Sequence, residues 1–257
     1  MTFFEHVTFD LDDTLLDTSG GLIPTAARRA LDHLVRKLHP EASSLERESL
    51  IETLLRKRSD LLRNEPRVNP WFALANGDAE LAEACRQIFL RPPLEELPPE
   101  SIRPTPGAME LLAWAASRAH VHLVTSGDPV VQNRKIDALD IRKYFRTVQV
   151  VEALPSPPDG KGPKYHAFLK IRSGYPETIG PRFLSIGNRV DTDLGEAKLL
   201  DWRTVWVRFG EHASLAPKKP SEIPDFEVST PQDLLAIWRD QFQTIAHDSK
   251  TGSTTPR

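Results

Sequence analysis

The chain runs to 257 residues, enough for one large domain or for a domain carrying an insertion. Its 36 acidic and 33 basic residues leave a net charge of -3, which offers no electrostatic footing for a nucleic-acid partner. Cys85, the only cysteine, cannot close an internal disulfide, and no apolar run suffices for a membrane span or a signal-peptide core, so a cytoplasmic setting without a membrane partner is expected.

The first predicted element is a short buried strand at Val7–Phe9, which stops abruptly at Asp10-Leu11-Asp12-Asp13-Thr14. In an extended segment residues two apart share a side, so Asp10 and Asp12 can face one site while Leu11 faces away. Clustered carboxylates have no use in a packed core, although Asp and Thr also build ordinary turns. From about Pro24 to about Leu90 the apolar spacing is helical, with helices expected over Ala26–Leu38, Leu45–Leu62 and Asp78–Leu90. Cys85 reads as a small packing residue in the last of these. Asn64 to Asn76 is rich in turn formers and carries Trp71-Phe72, an aromatic pair expected to pack between helices. Proline-rich segments from Arg91 to Pro106 close the region, which therefore reads as a helical insertion following the first strand.

Beyond it, strands expected at Val121–Thr125, Val148–Val151, Phe183–Ile186 and Thr204–Val207 are accompanied by helices at Gly107–Ser117, Pro129–Leu139, Lys164–Ile171 and Leu194–Leu200. This alternation predicts an α/β fold with a doubly wound parallel sheet and chemistry at the carboxyl ends of its strands. Thr230 opens a last helix through Pro231, Leu234, Leu235 and Ile237, and from about His247 the chain is polar and aperiodic, a disordered tail over 247–257.

Four polar sites follow, or lie just beyond, these strands: Asp10 with Asp12; Thr125-Ser126-Gly127; Lys164, with Lys161 as its neighbour in the same loop; and Gly187-Asn188 with Asp191 and Asp193. Each has an ordinary structural use as a turn, a cap or a solvated charge. Their occurrence together, on successive α/β units, points to one site.

In this order the motifs resemble the haloacid dehalogenase superfamily, in its phosphatase branch, from Phe9 to about Leu235. The resemblance rests on Asp10-Leu11-Asp12-Asp13-Thr14, on Thr125, on Lys164 and on Gly187-Asn188-Arg189-Val190-Asp191-Thr192-Asp193. The phrase Leu123-Val124-Thr125-Ser126-Gly127-Asp128, followed by Gln132 and Lys135-Ile136, adds to it. It implies a Rossmann-like core over 1–20 and 100–240, with a helical cap over 21–99. It further implies a Mg2+-dependent phosphohydrolase acting on a small phosphorylated metabolite, as monomer or homodimer. Asp10 would be the nucleophile that forms an aspartyl-phosphate, and Asp12 the acid and base. Thr125, Ser126 and Gly127 would bind phosphoryl oxygens, and Lys164, preferred over Lys161, would neutralise charge. Asp10, the Asp12 carbonyl, Asn188 and Asp193 would hold the metal, with Asp191 as an alternative to the last. Asn188 departs from the Asp that many relatives carry, which keeps a catalytically weakened binding protein in play. A phosphomutase is a further alternative, and Asp12 argues against a 2-haloacid dehalogenase, whose chemistry needs no leaving-group acid.

Overall fold

The computed structural model describes residues 4–65, 68–92, 94, 97, 101–152 and 161–240, so the expected 247–257 tail lies outside the described residues. Among the described residues six strands form one sheet: β1 (His6–Phe9), β2 (His120–Ser126), β3 (Thr147–Val151), β4 (Phe183–Gly187), β5 (Arg203–Val207) and β6 (Phe226–Val228). Their order is β3-β2-β1-β4-β5-β6, and every neighbouring pair is parallel. The five expected strands are present, each a residue or two longer than its apolar run. The sixth was not anticipated, because it is a three-residue edge strand with two exposed positions, too short to register as a pattern.

The middle of the sheet is buried on both faces, as parallel sheets are. On β1, Val7 and Phe9 join one apolar cluster with Leu111, Leu123, Leu184, Ile186 and Val205. The opposite face of the same strand carries His6 and Thr8, both buried, and leads to Asp10 at its end. Because β1 lies between β2 and β4, the winding reverses beside it, which opens a crevice at the carboxyl ends of β1 and β4.

Between β1 and α5 (Ala108–Ala116) the described residues form α1 (Leu22–Leu38), α2 (Ser44–Asn64), α3 (Pro70–Leu74) and α4 (Ala79–Leu90). Helix α1 starts four residues before the predicted boundary and takes Pro24 into its first turn, where a missing N–H costs nothing. A reciprocal Ser43–Glu46 capping box sets the start of α2, a feature worth about 1 kcal/mol. Helix α3 lies within the stretch rich in turn formers, where the Asn69 side chain accepts from Trp71 N and Pro70 supplies the first turn. These helices bury their own core of Leu31, Leu34, Ile51, Trp71, Leu74 and Cys85. Trp71 meets Phe89 at 5.3 Å, whereas Phe72 is 49% exposed, so only one of the aromatic pair packs as expected.

After β2, helix α6 spans Pro129–Ala138; α7 covers Pro163–Ser173, between β3 and β4. The helix expected at Leu194–Leu200 is present as the shorter α8 (Gly195–Lys198), and a wide π turn over Val190–Leu194, which was not expected, leads into it. The turn opens because Asp193 bends back: Oδ2 accepts from Arg189 N at 2.9 Å, and its carbonyl accepts from Ser185 Oγ at 2.8 Å. A last helix begins at 231, with the Thr230 hydroxyl and the Asp233 carboxylate bonded at 2.9 Å. No helix among the described residues is long and apolar enough to cross a membrane.

Candidate active site

The loop that follows β1 places Asp10 at the crevice. Asp10 N continues the sheet by donating to Ile186 O at 2.9 Å, which fixes its side chain beside the end of β4. Leu11 turns into the core, and the loop closes through Leu15 N and Leu16 N, both donating to Leu11 O. Asp13 adopts a left-handed backbone (φ 56°), which aspartate tolerates better than most residues, and its carboxylate takes Ser19 N and Oγ.

Lys164, in the first turn of α7, puts its ammonium 2.6 Å from Asp10 Oδ1 and 2.6 Å from Asp193 Oδ1. All three side chains are buried. Burial, reinforced by the nearby Asp193 and Asp12 charges, pushes the Asp10 carboxyl up to about 7 despite the pull of Lys164. Burial works against the Lys164 charge, but Asp10 and Asp193 outweigh it and hold the ammonium firmly protonated. Lys161 points elsewhere: its ammonium bonds Tyr165 Oη at 2.8 Å and lies over that ring.

Asp12 is held in a latch beside the same cavity. Its oxygens accept from Lys135 Nζ at 2.7 Å, Gln132 Nε2 at 2.8 Å and Thr18 Oγ1 at 2.6 Å. Burial opposes ionisation here too, yet Lys135, Gln132 and Thr18 together hold the carboxyl below its ordinary value. Gln132 and Lys135 lie three apart on one face of α6, so a single helix supplies both contacts. Their sequence signal was the phrase after Thr125, but nothing in it says that they grip Asp12.

The expected phosphate-binding segment is only partly arranged for that task. Ser126 lines the cavity. Thr125 is fully buried and its hydroxyl accepts Gln132 Nε2 at 2.8 Å, which leaves its own hydrogen to donate elsewhere. The Gly127 amide does not fit the expectation: it donates to Val151 O at 3.0 Å and is spent on the edge between β2 and β3.

The expected metal ligands also separate. Asp193 uses both oxygens, on Lys164 and on Arg189 N, and Asp191 is gripped by the Arg189 guanidinium at 2.8 and 3.1 Å. Gly187 is needed where it stands, because a Cβ there would collide with the Asp193 carboxylate. Among the described residues no three His, Cys, Asp or Glu side chains converge as a metal site. The oxygens that remain for a cation are of mixed kind. They are Asp10, the Asn188 amide, which is 3% exposed and has no hydrogen bond among the described residues, and the Asp12 carbonyl, which likewise accepts none. An all-oxygen set of this kind suits a small hard cation that retains water.

These groups open onto a cavity of about 410 Å3 between the crevice and the helices α1 and α4. Two of its lining residues, Glu211 and His212, gave no signal in the sequence; they come from the loop after β5. That loop is drawn in because Gly210, at φ 73°, packs directly on the Asp13 carboxylate and Glu211 N donates to Ser19 Oγ at 2.8 Å.

A family model for haloacid dehalogenase-like hydrolases matches residues 4–173. A glyceraldehyde 3-phosphate phosphatase of Pyrococcus furiosus is 26% identical over 243 residues, covering 90% of this chain and 91% of that protein. Among solved structures, a haloacid dehalogenase-like family protein of Streptococcus pneumoniae superposes with a TM-score of 0.60 at 19% identity, over 93% of this chain and 100% of that one. A Bacillus subtilis hydrolase of the same superfamily, bound to magnesium, gives 0.55 at 19% identity, over 91% and 98%. With the parallel sheet and the strand-end carboxylates in place, the match over residues 4–173 makes this chain a member of the haloacid dehalogenase-like hydrolases.

Proposed function

We propose that this protein is a Mg2+-dependent phosphohydrolase that removes phosphate from a small phosphorylated metabolite through an aspartyl-phosphate at Asp10. The observation that carries this reading is the juxtaposition of Asp10, Lys164 and Asn188 at the reversal of the sheet, with Asp12 two residues along. The helices α1–α4 would serve as the cap that closes the cavity, and the name of the Pyrococcus relative makes triose phosphates the first substrates to try.

Asp10, Asn188 and the Asp12 carbonyl would hold the cation. Magnesium, when bound, supplies positive charge opposite the phosphoryl dianion and favours the ionised form of Asp10. The Asp10 carboxylate then attacks phosphorus, and the bond to the leaving oxygen breaks. Lys164, fixed between Asp10 and Asp193, lies ready to balance charge that builds on the phosphoryl oxygens. Asp12 stands ionised in its latch, the form that activates water for hydrolysis of the acyl phosphate. To protonate the leaving oxygen it must first gain a proton, and an entering phosphate dianion drives its pKa in that direction.

Phosphate release from p-nitrophenyl phosphate, with and without Mg2+, tests the proposal. Turnover is expected only with the metal, and Asp10→Asn should lower it to background, by at least about a thousandfold. A folded protein that releases no phosphate from any ester would favour a binding module instead. Release of chloride from a haloacid by the metal-free protein would point to dehalogenase chemistry.

A further inference from the structure

The half of the cavity that faces the helices is built differently from the half that holds Asp10. Its wall is apolar, formed by Leu22, Ile23 and Ala26 of α1 and by Phe89 and Leu90 of α4. The same cavity is lined by polar residues that include Thr18, Thr192 and, from the loop after β5, Glu211 and His212. The cations that line the cavity are already matched: Lys164 by Asp10 and Asp193, Lys135 by Asp12, and Arg189 by Asp191.

The helices do bring one cation close. Arg58 of α2 is 5% exposed and lies over the rings of Trp71 and Phe89, at 5.5 and 4.8 Å. It does not line the cavity. Its guanidinium is forked onto Glu211, with Nη1 2.5 Å from Oε1 and Nη2 3.0 Å from Oε2. Glu211 thus stands between Arg58 and the cavity and cancels the charge behind it. A leaving group carrying a second anion would meet a carboxylate there and no unmatched cation. Against an apolar wall in a space of about 410 Å3, with the Arg58 charge already cancelled, nothing on that side offsets the loss of hydration of a second anion.

We propose that Glu211 is a specificity residue that makes this site select phosphate esters of small uncharged alcohols and reject those with a carboxylate or second phosphate on the leaving group. The selection rests on the phosphohydrolase reading above. Arg58 is the positioning residue, since it fixes the Glu211 carboxylate from outside the cavity. Specificity of this kind comes from a repulsive element as much as from attraction.

The test is a panel of matched esters at saturating Mg2+ and fixed ionic strength: glyceraldehyde 3-phosphate and glycerol 3-phosphate against 3-phosphoglycerate, with p-nitrophenyl phosphate as a reporter of the chemistry itself. The wild-type kcat/KM should be at least about tenfold higher for the uncharged pair. Glu211→Gln should raise the ratio of charged to uncharged kcat/KM about tenfold, because it uncovers Arg58, with the change carried by KM. Arg58→Met should move the same ratio the other way, since it leaves the carboxylate unmatched. A general structural disturbance would not shift the two ratios in opposite directions. Equal or better turnover of 3-phosphoglycerate by the wild type, with p-nitrophenyl phosphate hydrolysed, overturns the selection and leaves the phosphohydrolase standing. No turnover of any ester overturns the phosphohydrolase reading and the selection with it.

Discussion

Asp10 stands at the end of a strand with a lysine on one side and two further carboxylates close by, and its proton is the most consequential one in the molecule. Burial and the Asp193 and Asp12 charges raise its pKa to about 7, well above the unfolded value near 4. Between those two values the unfolded chain gives up a proton that the folded one keeps, so this residue's contribution to stability falls as pH rises through that window. A cation that binds the carboxylate must displace the same proton. Mg2+ affinity should therefore tighten by up to about tenfold per pH unit below 7 and level off above it. Calorimetry at pH 6, 7 and 8, in buffers of different ionisation enthalpy, reads both the affinity and the released proton; an affinity independent of pH would contradict this account of Asp10.

The residues legible in advance were those that terminate strands. Asp10, Asp12 and Asn188 each follow an apolar run that can be read in one dimension, and Lys164 opens a helix after a proline. The Asp12 latch was not legible, because its orientation depends on where α6 lies against the β1 loop. Glu211 was still further from view: its place in the cavity depends on Gly210 meeting Asp13, a contact between residues 197 positions apart in order along the chain only through the fold. The separation of Asp193 from Asp191 likewise required the π turn, which helical spacing does not announce.

At the level of elements, the sheet carries polar chemistry at both ends. Opposite the candidate site, His6 and His120 are register partners on β1 and β2, and His122 pairs with Thr8 two residues along. His6 Nδ1 lies 3.3 Å from His122 Nε2, His122 Nδ1 lies 2.9 Å from Thr147 Oγ1, and His6 stacks on Phe183 at 4.6 Å. Burial first, and the neighbouring His120, lower His6 to about 4; burial and His6 lower His122 to about 3. Both imidazoles are neutral at pH 7. Their contribution to stability is full above the unfolded value near 6.5 and is lost as pH falls toward 4 and then 3, by about 1.4 kcal/mol per pH unit for each proton the unfolded chain alone takes up. Nuclear magnetic resonance of the ring protons should find both neutral at pH 5, whereas titration near 6.5 would mean that water reaches them. The helical elements were legible wherever periodicity ran for ten residues or more. The five-residue α3 and the three-residue β6 were not, because each is held by caps or by neighbours rather than by its own pattern, whereas α8 lies inside the helix expected at Leu194–Leu200.

Across the whole molecule, one crevice at the reversal of the sheet brings together the Asp10 carboxylate after β1, the Asn188 amide after β4 and the Lys164 ammonium from α7, beside helices that pack around a core of their own. The ion pair from Arg58 to Glu211 ties those helices to the loop after β5, and a second, from Arg91 to Asp128, ties them to the start of α6. The core and the helices thus enclose the cavity from two sides. In the proposed reaction Asp10 becomes phosphorylated in turnover. Borohydride trapping of the protein during hydrolysis of a phosphate ester with Mg2+, followed by peptide mass spectrometry, tests it most directly. Reduction to homoserine at position 10, absent without metal or ester, is the predicted result; phosphate release with Asp10 unmodified, or with the label on Asp12, would contradict it.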